Sequence, residues 1–302
     1  MSLIDFVSLP EIRRELEKQF TMPSLKTPDN IRVEPKTKSY GLTGTAFDYL
    51  FRFKLRRLNP TALTKRWVAE IALSSLPQDY DDEELEAESR ARGIPVDALK
   101  EMINLGIKKQ PSSLKERVEK LITEAKQIYD EYIRLGIMND EVIRATVHLA
   151  QIDPVYRANY LDPNLGQVDN LVIQELRELI EIVNDEAFIA RDRCLLNPTF
   201  GDASYEVGGA DADFIIDGCL VDIKTTKSAK FTRKQFNQLI GYYILHDIGG
   251  IDGDYHLTVM TLGVYYSRYG ELCTFPVEPL IGRGYSSFVK WFRKKMKETY
   301  PQ

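Results

Sequence analysis

Gly208-Gly209-Ala210-Asp211-Ala212-Asp213-Phe214-Ile215-Ile216-Asp217-Gly218-Cys219-Leu220-Val221-Asp222-Ile223-Lys224 carries more structural information than any other segment of this chain. Asp-Gly between two apolar runs predicts a type I′ hairpin tip at Asp217-Gly218, because both central residues of that turn need positive φ. The bend then sets Ile216 against Cys219, Ile215 against Leu220, Phe214 against Val221 and Asp213 against Asp222, with Asp211 facing Lys224. Side chains alternate along a strand. One face therefore carries Ala212, Phe214, Ile216, Cys219, Val221 and Ile223, an apolar set that predicts a core side. The other carries Asp211, Asp213, Ile215, Leu220, Asp222 and Lys224, its polar groups far from the turn.

Two carboxylates opposite each other on a sheet repel. A solvated face with an Asp211–Lys224 ion pair accounts for the lysine and leaves Asp213–Asp222 unexplained. A divalent cation accounts for both. Mg²⁺ takes a few carboxylate and carbonyl oxygens plus water, which Asp213, Asp222 and the Ile223 carbonyl can supply. Lys224, two residues on, is then placed to meet an attacking water or developing phosphorane charge.

Asp213 followed by Asp222-Ile223-Lys224 resembles the D…(D/E)-x-K signature of the PD-(D/E)XK nuclease superfamily. Gln238-Leu239-Ile240-Gly241-Tyr242, on a predicted helix over 232–246, is similar to the Q-x-x-x-Y motif of its RecB-like and Cas4-like branch. Gln238 and Tyr242 share one helix face at this spacing. The resemblance covers about residues 207–243. It implies a restriction-endonuclease-like core of mixed α/β class, a mixed central sheet flanked by helices. It also implies Mg²⁺- or Mn²⁺-dependent hydrolysis of phosphodiesters, most readily DNA, with Asp213, Asp222, Lys224, Gln238 and Tyr242 at the site. A role in DNA repair or antiviral defence, beside a helicase or another partner protein, fits the same family. The rival is a catalytically silent nucleic-acid-binding or scaffold subunit.

RecB-like members carry a histidine on an earlier helix. Gly44-Thr45-Ala46-Phe47-Asp48-Tyr49-Leu50 is similar, with Asp48 in its place. Either Asp48 or a glutamate on the helix before the sheet, Glu175 or Glu178, is a candidate to complete the site. If Asp48 joins it, residues 60–165 form a helical insertion within one nuclease domain. Otherwise residues 1–165 form a helical accessory region and 166–302 the core. Cas4-like relatives hold iron–sulfur clusters with four cysteines. Cys194, Cys219 and Cys273 cannot reproduce that set, so no cluster is expected.

With 302 residues the chain has enough length for one large or two ordinary domains. Its net charge of −5 does not advertise a nucleic-acid partner, but the charge is unevenly spread. Lys227, Lys230, Arg233 and Lys234 follow the motif lysine with no acid among them, and are candidate phosphate contacts. More basic residues run from Arg283 to Lys297, while acids crowd residues 79–88. The absence of a basic, then apolar, leader predicts a cytoplasmic protein. Helices are predicted over 10–20, 43–58, 61–76, 79–92, 95–105, 114–135, from Asn139 to about Pro154, 169–190 and 285–300. Strands are predicted near 193–200, 257–267 and 271–277.

Overall fold

The computed structural model describes residues 2–76, 86, 89–90, 92–104, 114–158 and 160–301. The chain divides into two compact units, Met1–Lys65 with Asp169–Gln302, and Arg66–Val168. The first opens with α1 (Leu3–Ser8), α2 (Pro10–Gln19), α3 (Tyr40–Leu58) and β1 (Leu63–Thr64). The second, inserted unit holds α4 (Val68–Ser75), α5 (Val96–Asn104), α6 (Leu114–Leu135) and α7 (Asp140–Ala158). The first unit resumes with α8 (Asn170–Glu181), β2 (Cys194–Leu196), α9 (Asp202–Glu206), β3 (Phe214–Ile216), β4 (Cys219–Lys224), α10 (Arg233–Gly249), β5 (Thr261–Tyr266), β6 (Glu271–Pro276) and α11 (Tyr285–Thr299).

Among the described residues six strands form one mixed sheet in the order β1 to β6. β1 runs parallel to β2, and β4 parallel to β5 across the α10 crossover; β2–β3, β3–β4 and β5–β6 are antiparallel. The hairpin has the register read from its turn: Phe214 faces Val221, Ile215 faces Leu220 and Ile216 faces Cys219. Asp217 and Gly218 both have positive φ, 46° and 76°, as the type I′ turn requires. The Asp217 carboxylate also accepts the main-chain N–H groups of Arg191, Asp192 and Arg193, which pins the hairpin tip to the approach to β2.

Both faces of the sheet are covered, giving three layers. On one face Ile215, Leu220, Leu262 and Val264 join a core with α1, α2, α10 and α11, through Phe6, Leu16, Ile240 and Phe292. On the other, Phe214 and Tyr265 pack with Phe47 and Phe51 of α3 and with Phe188. Residues 1–65, grouped by sequence with the helical region, thus supply parts of both outer layers. α1, absent from the predicted helices although Ser2 and Asp5 form a capping box at its start, sits against α10 at Gly241; a Cβ there would lie 3.0 Å from Leu3 Cδ1.

Several boundaries differ from the sequence expectation for identifiable reasons. The helix expected over 169–190 stops at Glu181 and gives way to a 3₁₀ turn over Asp185–Phe188. That turn lets Phe188 enter the aromatic cluster and Asp185 meet Lys54 at 2.8 Å. The helix expected over 61–76 is β1 followed by α4, since residues 63–64 pair with β2. α7 runs through Pro154 to Ala158. The expected acidic helix over 79–92 lies almost wholly outside the described residues. In the second unit, buried Gln151 holds the loop after α7 by donating to the carbonyls of Asn164 and Gln167 and accepting from Gly166 N.

His246, near the end of α10, has Nε2 2.8 Å from the Leu257 carbonyl and Nδ1 3.0 Å from Asp247 Oδ1. Neither a carbonyl nor a carboxylate can donate, so this pair of neighbours favours the doubly protonated ring. Tyr285 fixes Asp247 from α11 through a 2.6 Å hydrogen bond to its other oxygen. Burial works against the imidazolium, but the Asp247 and Leu257 contacts outweigh it and hold the pKa above 6.5. A raised folded-state pKa stabilises the fold fully below the unfolded value, and that contribution is lost as pH climbs through the folded value. His246→Gln is therefore expected to lower stability by about 1–2 kcal/mol at mildly acid pH. The gap to wild type should narrow in alkaline solution. Urea unfolding of both proteins across this range measures it, and a gap independent of pH would contradict a charged ring.

Candidate active site

The site lies in the first unit, where β4 ends beneath α10. Asp222 and Lys224 leave the same face of β4, as strand alternation demands, and that face is roofed by Gln238 and Tyr242 one helical turn apart. Thr232 caps α10 by accepting from Gln235 N, with the Gln235 side chain returning to Thr232, which fixes where the helix starts. The Lys224 ammonium is 2.6 Å from Asp222 Oδ2 and 3.3 Å from Gln238 Oε1. Gln238 Nε2 donates to Asp222 Oδ1 at 2.9 Å and reaches the Tyr242 hydroxyl at 3.1 Å. Phe200 stacks on the Tyr242 ring with centroids 5.5 Å apart.

The ladder ends at the Phe214–Val221 pair, so Asp213 is not a ladder partner of Asp222. Its main chain extends the β2–β3 pairing instead, its carbonyl accepting from Asn197 N at 2.9 Å. Its side chain turns onto β4, where Asp213 Oδ2 accepts the Ile223 N–H at 2.5 Å. The two acids are still neighbours electrostatically. Burial, then the charge of Asp48, then that of Asp222, push the Asp213 carboxyl well above the usual range. Burial also raises Asp222, against the opposing pull of Lys224 and Gln238. For Lys224 burial favours the neutral amine, but Asp222 and then Asp213 prevail and keep it charged. Burial and the nearby charges of Asp222, Asp213 and Asp211 hold Tyr242 as the phenol. The lysine thus makes its close ion pair with Asp222 on its own strand.

The candidates for a third acid separate cleanly. Asp48, on α3, is close enough to act on Asp213, and its Oδ2 is 2.5 Å from Arg52 Nη2. Glu175 is engaged elsewhere: Oε1 takes Arg268 Nη2 at 2.5 Å, and Oε2 takes Lys36 N at 2.8 Å. Glu178 pairs with Lys36 Nζ at 2.9 Å. Glu206 sits on α9, held by Arg293.

The basic residues after β4 behave unequally. Lys230 and Lys234 are exposed. Lys227 is 3.1 Å from Glu34, and Arg233 donates to the Phe20 carbonyl at 3.1 Å with its guanidinium over Phe236. Phe200 and Arg268 are site neighbours that sequence reading missed. Phe200 carried no signal, whereas an arginine directly after Tyr265-Tyr266-Ser267 could have been suspected of burial.

Asp213, Asp222 and the main chain of Ile223 present hard oxygen donors of the kind Mg²⁺ and Mn²⁺ prefer. Among the described residues no group of three or more His, Cys, Asp or Glu side chains is set to hold a metal. Two carboxylates, a carbonyl and water form a sufficient set for Mg²⁺, which keeps much of its hydration. A buried acid, Asp222, and a half-buried one, Asp213, whose charges oppose one another are the setting a cation would relieve, so the donors fit. Burial lifts the Cys194 thiol to about 12 and the Cys219 thiol to about 11. Among the described residues no helix is long and apolar enough to cross a membrane. No family model, curated protein or solved structure matches the chain.

Proposed function

We propose that this chain is a metal-dependent nuclease that hydrolyses phosphodiester bonds in DNA. The observation that carries this reading is the Asp222–Lys224 pair at 2.6 Å, with Asp213 beside it and Gln238 bridging to Tyr242. The order α8-β2-α9-β3-β4-α10-β5 supports it: apart from the short helix α9 between β2 and β3, it follows the α-β-β-β-α-β succession expected of a restriction-endonuclease-like core.

Asp213, Asp222 and the Ile223 carbonyl would hold Mg²⁺ or Mn²⁺, which polarises the scissile phosphate and acidifies water. Lys224 supplies a fixed positive charge where the phosphorane oxygens gain negative charge, in a site partly shielded from solvent. Gln238 fixes the Asp222 carboxylate by one hydrogen bond and the lysine by another, so neither needs to reorganise as charge develops. Tyr242, held neutral, offers a hydroxyl without adding a competing anion. Lys230 and Lys234 reach phosphates flanking the cut.

Calorimetric titration with Mn²⁺ tests the metal step alone. Wild type is expected to bind, and Asp213→Asn and Asp222→Asn to bind at least about tenfold more weakly, one lost carboxylate contact being worth over a kcal/mol. A wild type that ignores Mn²⁺, yet binds DNA equally with or without Asp213→Ala, would instead support the silent-subunit reading.

A further inference from the structure

We propose that the solvent face of α11, with Tyr205 and Tyr255, is a docking surface for single-stranded DNA. Tyr285, Phe288, Phe292 and Met296 are buried, which sets the rotation of this helix. Lys290, Arg293, Lys294 and Lys297 follow at i, i+3, i+4 and i+7, so they share the outward face. They line an open concavity of about 530 Å³ together with Glu298.

Arg293 is not loose on this face. It grips both oxygens of Glu206 on α9 at 2.9 and 2.7 Å, a bidentate pair that fixes α9 against α11. Lys297 lies 3.5 Å from the same carboxylate, and Lys294 is 3.7 Å from Glu298. Four cations therefore meet three acids, Glu206, Glu298 and Asp202, which leaves the face positive on a chain whose net charge is −5.

Tyr205, beside Glu206, is 78% exposed and Tyr255 is 67% exposed. Tyr255 reaches the Ile248 carbonyl at 3.5 Å, at the end of α10 that abuts Ala203 of α9, and Asp202 lies close enough to Arg293 to help keep it charged, after Glu206 itself. Large rings left in water next to a positive face are the composition of a strand-binding platform: the cations track phosphates and the rings accept unpaired bases. A duplex offers phosphates but no free base faces, so the tyrosines select the single strand. The role, holding DNA beyond the cleavage site, rests on the nuclease reading; the binding does not.

Fluorescence anisotropy of a labelled oligothymidylate, with EDTA present so that nothing is cut, tests the surface. Lys290→Ser/Lys294→Ser/Lys297→Ser should weaken binding at least about tenfold and reduce the salt slope by about 2, at roughly 0.7 per lost contact to a single strand. Tyr205→Ala/Tyr255→Ala should weaken it about tenfold with the slope unchanged. These positions are exposed, and circular dichroism checks the fold. Unchanged affinity in the lysine variant overturns the surface. Duplex bound as tightly as single strand, with the tyrosine variant unaffected, overturns the single-strand assignment. A wild type that binds the oligomer by this face yet cuts no DNA with Mg²⁺ sinks the nuclease reading alone.

Discussion

Asp222→Asn is expected to lower Mg²⁺-dependent DNA cleavage by about 10³-fold or more, the scale on which metal and oxyanion contacts act. The change keeps the volume of the side chain and an oxygen for Gln238 Nε2, now 2.9 Å away. What it removes is the charge that faces Lys224 at 2.6 Å and that would face the cation. Lys224→Met should lose about 10²–10³-fold by a different route, since it leaves both carboxylates and deletes only the ammonium. The two variants should also part in a metal titration, Asp222→Asn losing affinity and Lys224→Met keeping it. Cleavage assays on supercoiled and single-stranded DNA, repeated with EDTA and after a second purification, provide the measurement. Activity within about tenfold of wild type in either variant removes the mechanism, because each deletes a group that the mechanism requires.

Arg268→Ala is expected to destabilise the first unit by about 3–5 kcal/mol, the usual cost of stranding one member of a buried ion pair. Arg268 and Glu175 have side chains only 1% exposed each, with Nη2 and Oε1 at 2.5 Å. The guanidinium also donates to the carbonyls of Val33 and Thr225, both at 3.3 Å. Its own carbonyl accepts from Arg32 N and Val33 N. One side chain thus ties together the β5–β6 turn, the segment leading to α3, α8 and the residue following Lys224. Removing it leaves Glu175 Oε1 and two carbonyls without this donor and the buried carboxylate without its counter-charge. Glu175→Met/Arg268→Met should be much milder than either single change, because it removes both charges and refills the volume. Thermal and urea unfolding read the result, resolved by unit because a two-unit chain need not unfold in one step. A loss under about 1 kcal/mol for Arg268→Ala would mean that the pair is not needed to hold these segments together.

The hairpin could be read from residues alone because its information is local. Two positive-φ residues at Asp217-Gly218 set the register, and alternation then puts Asp222 and Lys224 on one face. The ends of α3 near Pro60 and of α6 near Gly136 were equally local, each marked by a residue that cannot continue a helix or that favours leaving it.

Long-range contacts decided the rest. Nothing in the composition of residues 1–65 separates them from the helices that follow; only packing against both faces of the sheet joins them to residues 169–302. Asp48 and Glu175 looked interchangeable as acids on amphipathic helices. The fold brings the first within electrostatic reach of Asp213 and gives the second to Arg268. Asp213 itself left the ladder to accept the Ile223 N–H, which no pairing rule anticipates. Turn chemistry and side-chain periodicity are written within a few neighbouring positions, whereas burial and ion pairing depend on groups far apart along the chain that meet only after folding.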